Sequence, residues 1–201
     1  MNSANSSPGD VPAKIVAALD RIARGVRSHR QAIASRVGLT PLQLELLLTI
    51  ADSPPPEPLT GLLARELGVT QPTVSDSLLA LERKGHVIRH RSGTDQRRTN
   101  VALTDAAREL IDEVREADKV LRASVASLAG SDQDAVLEIL LSLIGNLLDA
   151  GIVQVARTCL TCRFYDDRNG REARCALLEI PLPPAALRVN CPEHEPLPVG
   201  A

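Results

Sequence analysis

Aromatic residues are almost missing from this chain: one Phe, one Tyr and no Trp in 201 residues. A core without rings is built from Leu, Val, Ile and Ala, which favours packed helices over an aromatic-rich β-sandwich. Charge of one sign is missing as well. The 23 Lys and Arg stand against 25 Asp and Glu, a formal net charge of −2, so only local charge can point to a partner. There is no long hydrophobic run. The most apolar stretch, AVLEILLSLIGNLL, is 14 residues long and carries Glu138 and Asn146, too short and too polar to span a bilayer. The opening MNSANSSPGD has neither the basic nor the apolar segment of a signal peptide and reads as a disordered leader over residues 1–10. These absences suggest a cytoplasmic chain without a membrane partner. Cysteine is absent from the first 158 residues, yet the last 43 contain four, together with the lone Phe and Tyr. In a reducing compartment such a cluster points to metal or redox chemistry before structural disulfides.

What is present is mostly helical pattern. Residues 11–37 place apolar side chains at 11, 15, 16, 19, 22, 23, 26 and 33, with Arg and His on the other face. In TPLQLELLLTI, Thr40 and Gln43 have capping-box spacing and Pro41 occupies the first helical position. The prolines of DSPPPEP (52–58) then impose a stiff extended loop. Residues 60–85 read as two short helices, the first capped by Thr60 and stopped at Gly68, the second capped by Thr70 and closed by Gly85. Two extended runs, 86–91 and 98–103, flank a Ser-Gly-Thr-Asp turn and predict a β-hairpin. Thr104 caps a long helix to about 128, and Ser131 with Asp134 opens another reaching 155. At nearly 26 residues that last helix would be about 39 Å long. So long an apolar rod needs a second copy of the chain to cover it.

This order, with VTQPTVSDSLLALERKGHVIRHRSGTDQRRTNVALT at its centre, resembles the MarR family of winged-helix transcriptional regulators over residues 11–157. The resemblance lies in the QPTVS start of the second short helix, its LERKG end, the Asp-x-Arg-Arg hairpin tip and the LT leading into the next helix. It implies a mainly α fold with a small β-hairpin wing (helix-turn-helix 60–85, wing 86–103) and long flanking dimerisation helices. It also implies an obligate homodimer, one recognition helix per subunit in the major groove, and a wing reaching the minor groove of double-stranded DNA at a pseudo-palindromic operator. Relatives often respond to a small-molecule effector, but the scarcity of rings leaves no such pocket to assign.

Charge supports the same reading independently. Arg83, Lys84, Arg89, Arg91, Arg97 and Arg98 stand against one acid, Asp95, between 83 and 98. Phosphates reward such a strip through counterion release. Arg97 or Arg98 at a narrow tip suits a minor groove, and Asp95 suits a bidentate pair that fixes one of them. A basic hairpin alone is most often a solvated surface; its register beside a helix-turn-helix makes it a DNA contact. On the recognition helix, Thr70, Gln71, Pro72, Thr73, Ser75, Asp76 and Ser77 form the exposed N-terminal end, while Val74, Leu78 and Leu81 fit a buried stripe. Gln, Ser and Thr read base edges or hold phosphates. Many relatives have Arg where Asp76 stands; a carboxylate repels phosphate but accepts from a cytosine amino group.

The cysteines form a Cys-rich extension, 158–201. Cys159, Cys162, Cys175 and Cys191 are spaced C-x2-C-x12-C-x15-C and end in CPEH. Two thiolates three residues apart reach one centre with little strain, and the other two return over modest loops. Four readings compete. An iron–sulfur cluster of the 4Fe-4S type fits all four cysteines, and the pattern resembles that of high-potential iron–sulfur proteins without their usual tryptophan. A zinc site is nearly as good, with His194 able to replace one cysteine. A redox dithiol and four unrelated cysteines complete the set. Arg163, Arg174 and Arg188 would lower thiol pKa values and balance a bound anion, and Phe164 with Tyr165 would keep the site dry.

The expected function is a sequence-specific DNA-binding regulator, not an enzyme, with a metal- or redox-responsive tail. The alternatives are a zinc-stabilised protein-interaction module on a DNA-binding scaffold, and a thiol or electron-transfer protein. No catalytic Ser/His/Asp set or phosphate-binding glycine loop supports the last.

Overall fold

The computed structural model describes residues 9–53, 59–91, 99–167 and 172–197. The chain forms two compact units, 1–45 and 46–201, and α2 runs across their boundary. In the first unit, α1 (Val11–Arg36) begins where the Asp10 carboxylate accepts from the Ala13 amide at 3.0 Å. The reciprocal capping box at the start of α2 (Pro41–Ala51) forms as the spacing requires: the Thr40 amide donates to Gln43 Oε1 and the Gln43 amide to Thr40 Oγ1, both at 3.2 Å. Ile33, Ala34, Leu39 and Leu44 are buried, whereas Val11, Ile15, Val16 and Ile22 on α1 remain exposed.

The second unit holds a helix-turn-helix, a hairpin, three further helices and a small tail of turns and short strands. α3 spans Thr60–Glu66 and α4 spans Gln71–Arg83. Thr60 does not cap α3. Leu59 holds the cap position in extended backbone, without a side-chain cap bond, and bridges Asn100 of the hairpin. Gly68 and Gly85 close the two helices with φ of +63° and +78°, left-handed values that only glycine adopts without cost. β1 (Val87–Arg91) pairs antiparallel with β2 (Thr99–Leu103), Val87 opposite Leu103 and Arg91 opposite Thr99. Leu46, Leu47, Leu63, Val74, Leu78, Leu81, Val87, Val101, Ala107, Ile111 and Val114 are all buried, an aliphatic core as the missing rings imply.

Beyond the hairpin the structure departs from the sequence pattern twice. The helix expected from 105 to about 128 is two: α5 (Asp105–Ala117) and α6 (Lys119–Ala126), broken at Asp118. The last helix, α7, spans Gly130–Asp149 and not 131–155. Gly151, at φ +71°, closes it, and its 20 residues make it about 30 Å long. Apolar spacing through 152 and 155 continues the pattern but not the helix. No single helix among the described residues is long and apolar enough to cross a membrane.

The tail is ordered by turns. A 3-10 turn, Cys159–Thr161, leads into three two-residue strands, β3 (Tyr165–Asp166), β4 (Arg174–Cys175) and β5 (Ile180–Pro181), in the order β3-β4-β5. A second 3-10 turn, Pro184–Ala186, comes after them. Leu141 of α7 is buried in one apolar cluster with Cys159, Leu182 and Leu187, which docks the tail on that helix.

Candidate nucleic-acid interface and four-cysteine pocket

The N-terminal end of α4 is set by one residue. Thr70 Oγ1 accepts from the Thr73 amide at 3.4 Å and lies 2.7 Å from Thr73 Oγ1, so a free donor of the first turn is satisfied. Val74, Leu78 and Leu81 face the core. That leaves Gln71, Pro72, Thr73 and Asp76 exposed and Ser75 and Ser77 half-buried. Polar groups short enough to approach a groove thus cluster at the positive end of the helix dipole.

The basic strip divides. Arg83 and Lys84 are exposed at the end of α4. Arg89 is committed elsewhere: its Nε and Nη2 both reach Glu82 Oε2, at 2.9 and 2.8 Å, bracing β1 against α4. Glu82 stands one residue outside the 83–98 strip, and it neutralises Arg89. Arg91 ends β1. Asp95, Arg97 and Arg98 lie outside the described residues, as does the proline segment 54–58. His86 is half-buried; burial, with Lys84 beside it, lowers its pKa from the usual 6.5, and its Nδ1 has no hydrogen-bond partner among the described residues.

Thr104 ties the hairpin to α5. Its hydroxyl donates to Gly85 O at 2.7 Å and accepts from the Ala107 amide at 3.2 Å, so one side chain joins the α4–β1 turn to the first turn of that helix.

The four cysteines converge. Cys159, Cys162, Cys175 and Cys191 line one partly open pocket walled by Phe164, Tyr165, Leu177, Leu178 and Leu182. Three of the thiols are buried and Cys175 is half-buried, none in a disulfide. Cys159 starts the 3-10 turn, Cys162 bridges Pro196, Cys175 sits on β4 opposite Tyr165, and Cys191 comes directly after Asn190. Among the described residues, no three Cys, His, Asp or Glu are close enough together to hold one metal ion.

Of the three arginines expected to serve the thiols, one does. The Arg188 amide donates to Cys159 Sγ at 3.2 Å and its Nη1 to Cys191 Sγ at 3.7 Å, while Nη1 also pairs with Glu193 at 2.9 Å. Arg163 instead pairs with Glu195 at 3.0 Å and lies over the Phe164 ring, 4.7 Å from its centroid. Arg174 is exposed. Nor does Arg188 lower the Cys191 pKa overall: burial raises it and outweighs the guanidinium. His194 is not among the pocket-lining residues. Its Nε2 pairs with Thr161 Oγ1 and with Thr161 O, each at 3.1 Å, and burial lowers its pKa.

A capped second helix after a glycine turn, with a two-stranded ribbon behind it, makes the 46–201 unit a winged helix-turn-helix protein. Residues 37–98 match the model of the MarR family. Three solved structures are similar. The S. aureus MepR–DNA complex is 22% identical with a TM-score of 0.58, covering 66% of this chain and 97% of its own. A MarR transcriptional regulator from Methanosarcina mazei is 18% identical with a TM-score of 0.59, covering 68% and 97%. A MarR protein from Peptoclostridium difficile is 18% identical with a TM-score of 0.61, covering 72% and 94%. At these identities the shared property is the fold, mainly helical with a small hairpin wing, and the present chain carries length that the others lack.

Proposed function

We propose that this protein is a homodimeric, sequence-specific DNA-binding transcriptional regulator whose four-cysteine pocket holds an inorganic centre. The observation that carries the first half is the capped, polar N-terminal end of α4 set beside a basic hairpin, within a segment that matches the MarR family model. One protein of similar fold, S. aureus MepR, is itself a DNA complex. In the proposed mode Gln71, Thr73, Ser75, Asp76 and Ser77 face base edges and phosphates in the major groove. Lys84, Arg91, Arg97 and Arg98 neutralise phosphates or enter the minor groove. Apolar residues exposed on α7 (Val136, Ile139, Leu140) supply a face for a second copy to cover, and those exposed on α1 (Val11, Ile15, Val16) supply another. The test is binding of duplexes selected from a random library by the wild-type protein. Arg97→Ala with Arg98→Ala should weaken binding about tenfold or more and reduce the salt slope by about 1 per lost phosphate contact. Unchanged affinity and slope would remove the wing from the interface.

For the pocket, the favoured occupant is a 4Fe-4S cluster. Zinc needs its donors gathered tightly on one ion, whereas a cluster takes each thiolate on a different iron and so suits four cysteines that line one pocket without forming a tight donor group among the described residues. The apolar wall and the two Arg188 contacts to sulfur fit a dry site holding an anion. Anaerobically purified protein should be brown and contain iron and acid-labile sulfide. A colourless protein with one zinc per chain establishes the alternative.

A further inference from the structure

The cysteine pocket is joined to the helix-turn-helix by a polar clasp that neither DNA contact nor cofactor ligation requires. The chain segments beside Cys159 and Cys191 run together as a parallel bridge between Arg157 and Asn190. The Cys191 amide donates to Arg157 O at 2.8 Å, and the Cys159 amide to Arg188 O at 3.0 Å. From this bridge two side chains reach out. Arg157 Nη2 pairs with Glu66 Oε1 at 2.8 Å, and its Nε donates to Asn190 Oδ1 at 2.8 Å. Asn190 Nδ2 in turn donates to Asp52 O at 3.2 Å, and the Asp52 carboxylate holds Arg115 of α5 at 3.0 Å.

The Glu66–Arg157 pair stands out among the ion pairs of the described residues by its burial: the two side chains are only 11% and 17% exposed. Glu66 is the last residue of α3, the helix immediately before the recognition helix. A half-formed arrangement here leaves a carboxylate with little water and no cation, so the pair is either made or expensively broken. Arg157 lies two residues from Cys159, and Asn190 is adjacent to Cys191. Anything that draws the two cysteines onto a common centre therefore fixes the spacing of the Arg157–Asn190 bridge. Without the centre, Cys159 and Cys191 keep their backbone bonds, the Arg188 contacts and the packing on Leu141, but nothing links their two sulfurs, and the bridge has one restraint fewer.

We propose that this clasp transmits the state of the cysteine pocket to the DNA-reading elements: with the centre in place, Arg157 and Asn190 hold the ends of α3 and α2 in the DNA-binding arrangement, and with the centre lost they release them. The inference rests on the function proposed above. Coupling of this kind requires a differential contact in the two states, and the Arg157–Glu66 and Asn190–Asp52 contacts are the ones proposed to differ.

The experiment compares full-length protein as isolated anaerobically with the same protein stripped by ferricyanide and EDTA, measuring affinity for a duplex selected from a random library. Wild type should lose about tenfold or more in affinity on stripping, within the usual range of allosteric couplings. Glu66→Gln, which preserves shape, and Asn190→Ala, at an exposed position that tolerates truncation, should each bring the ratio of the two affinities towards 1. Both should keep wild-type metal and sulfide content and an unchanged salt slope. Either variant retaining the full wild-type ratio overturns the clasp. A wild-type ratio of 1 in a protein that holds its centre and binds DNA also overturns it, while leaving the proposed function standing. A protein with no centre as isolated, or that selects no duplex, fails at the earlier reading and takes the clasp with it.

Discussion

His86 makes the sharpest single-residue prediction. Its imidazole is pulled below 6.5 by burial and by Lys84, and His194 is pulled down by burial in the tail. A folded pKa below the unfolded one means that the unfolded chain binds the proton first as pH falls. The stability these neutral rings allow is therefore present above about 6.5 and is lost as pH drops through that value towards the lower folded ones. Thermal unfolding should show Tm falling between pH 7.5 and pH 5.5. His86→Leu, which removes the titration and a buried nitrogen without a partner among the described residues, should flatten that fall without lowering Tm at neutral pH. A pH dependence identical to wild type would place the titration elsewhere. Residue-level chemistry was legible where a short-range rule applied: the Thr40/Gln43 box and the Thr70 cap needed only spacing. The Arg89–Glu82 brace was not, because nothing local in the sequence says that a strand arginine faces the helix seven residues earlier rather than solvent.

Among the elements, α7 bears two loads. Its buried Leu141 anchors the tail through Cys159, Leu182 and Leu187, while Val136, Ile139 and Leu140 on the same helix are exposed. Leu141→Ala should cost about 2–5 kcal/mol in the stability of the unit, the range for a buried large-to-small change. It should also make the tail a preferred site of limited proteolysis and lower the occupancy of the proposed inorganic centre. A stability loss below about 1 kcal/mol would mean that the cavity refills and the tail is held by other contacts. The helix boundaries show why periodicity overreached. Apolar spacing persists past Asp149 because Ile152 and Val155 continue it, but Gly151 in left-handed backbone turns the chain away. The break at Asp118 between α5 and α6 has no proline or glycine to announce it.

For the molecule as a whole, the prediction concerns assembly. Ile139 is 65% exposed in the single chain, so replacing it costs the chain itself little, yet a charge there cannot be buried against a second copy without a partner. For the homodimer proposed above, Ile139→Glu should shift sedimentation from dimer to monomer and abolish tight binding to a pseudo-palindromic duplex, because two recognition helices one helical turn apart need both subunits. Circular dichroism should remain that of the wild type. A variant that stays dimeric would move the interface off this face of α7.

The helix-turn-helix, the Thr70 cap, the hairpin and the aliphatic character of the core follow from residue order alone. Each arises from interactions between residues a few positions apart, where spacing, capping groups and glycine φ preferences act directly. Residue order also gathers the cysteines, since their spacing is a chain-length statement. Which cations serve which acids is set instead by the three-dimensional packing. Arg188 reaches two sulfurs while Arg163 turns to Glu195, and Arg157 crosses to a nearly buried Glu66 on α3. Such pairings are set by how elements distant in sequence come to lie beside one another, and by the cost of leaving a charge dry and alone. A one-dimensional pattern of charges records neither.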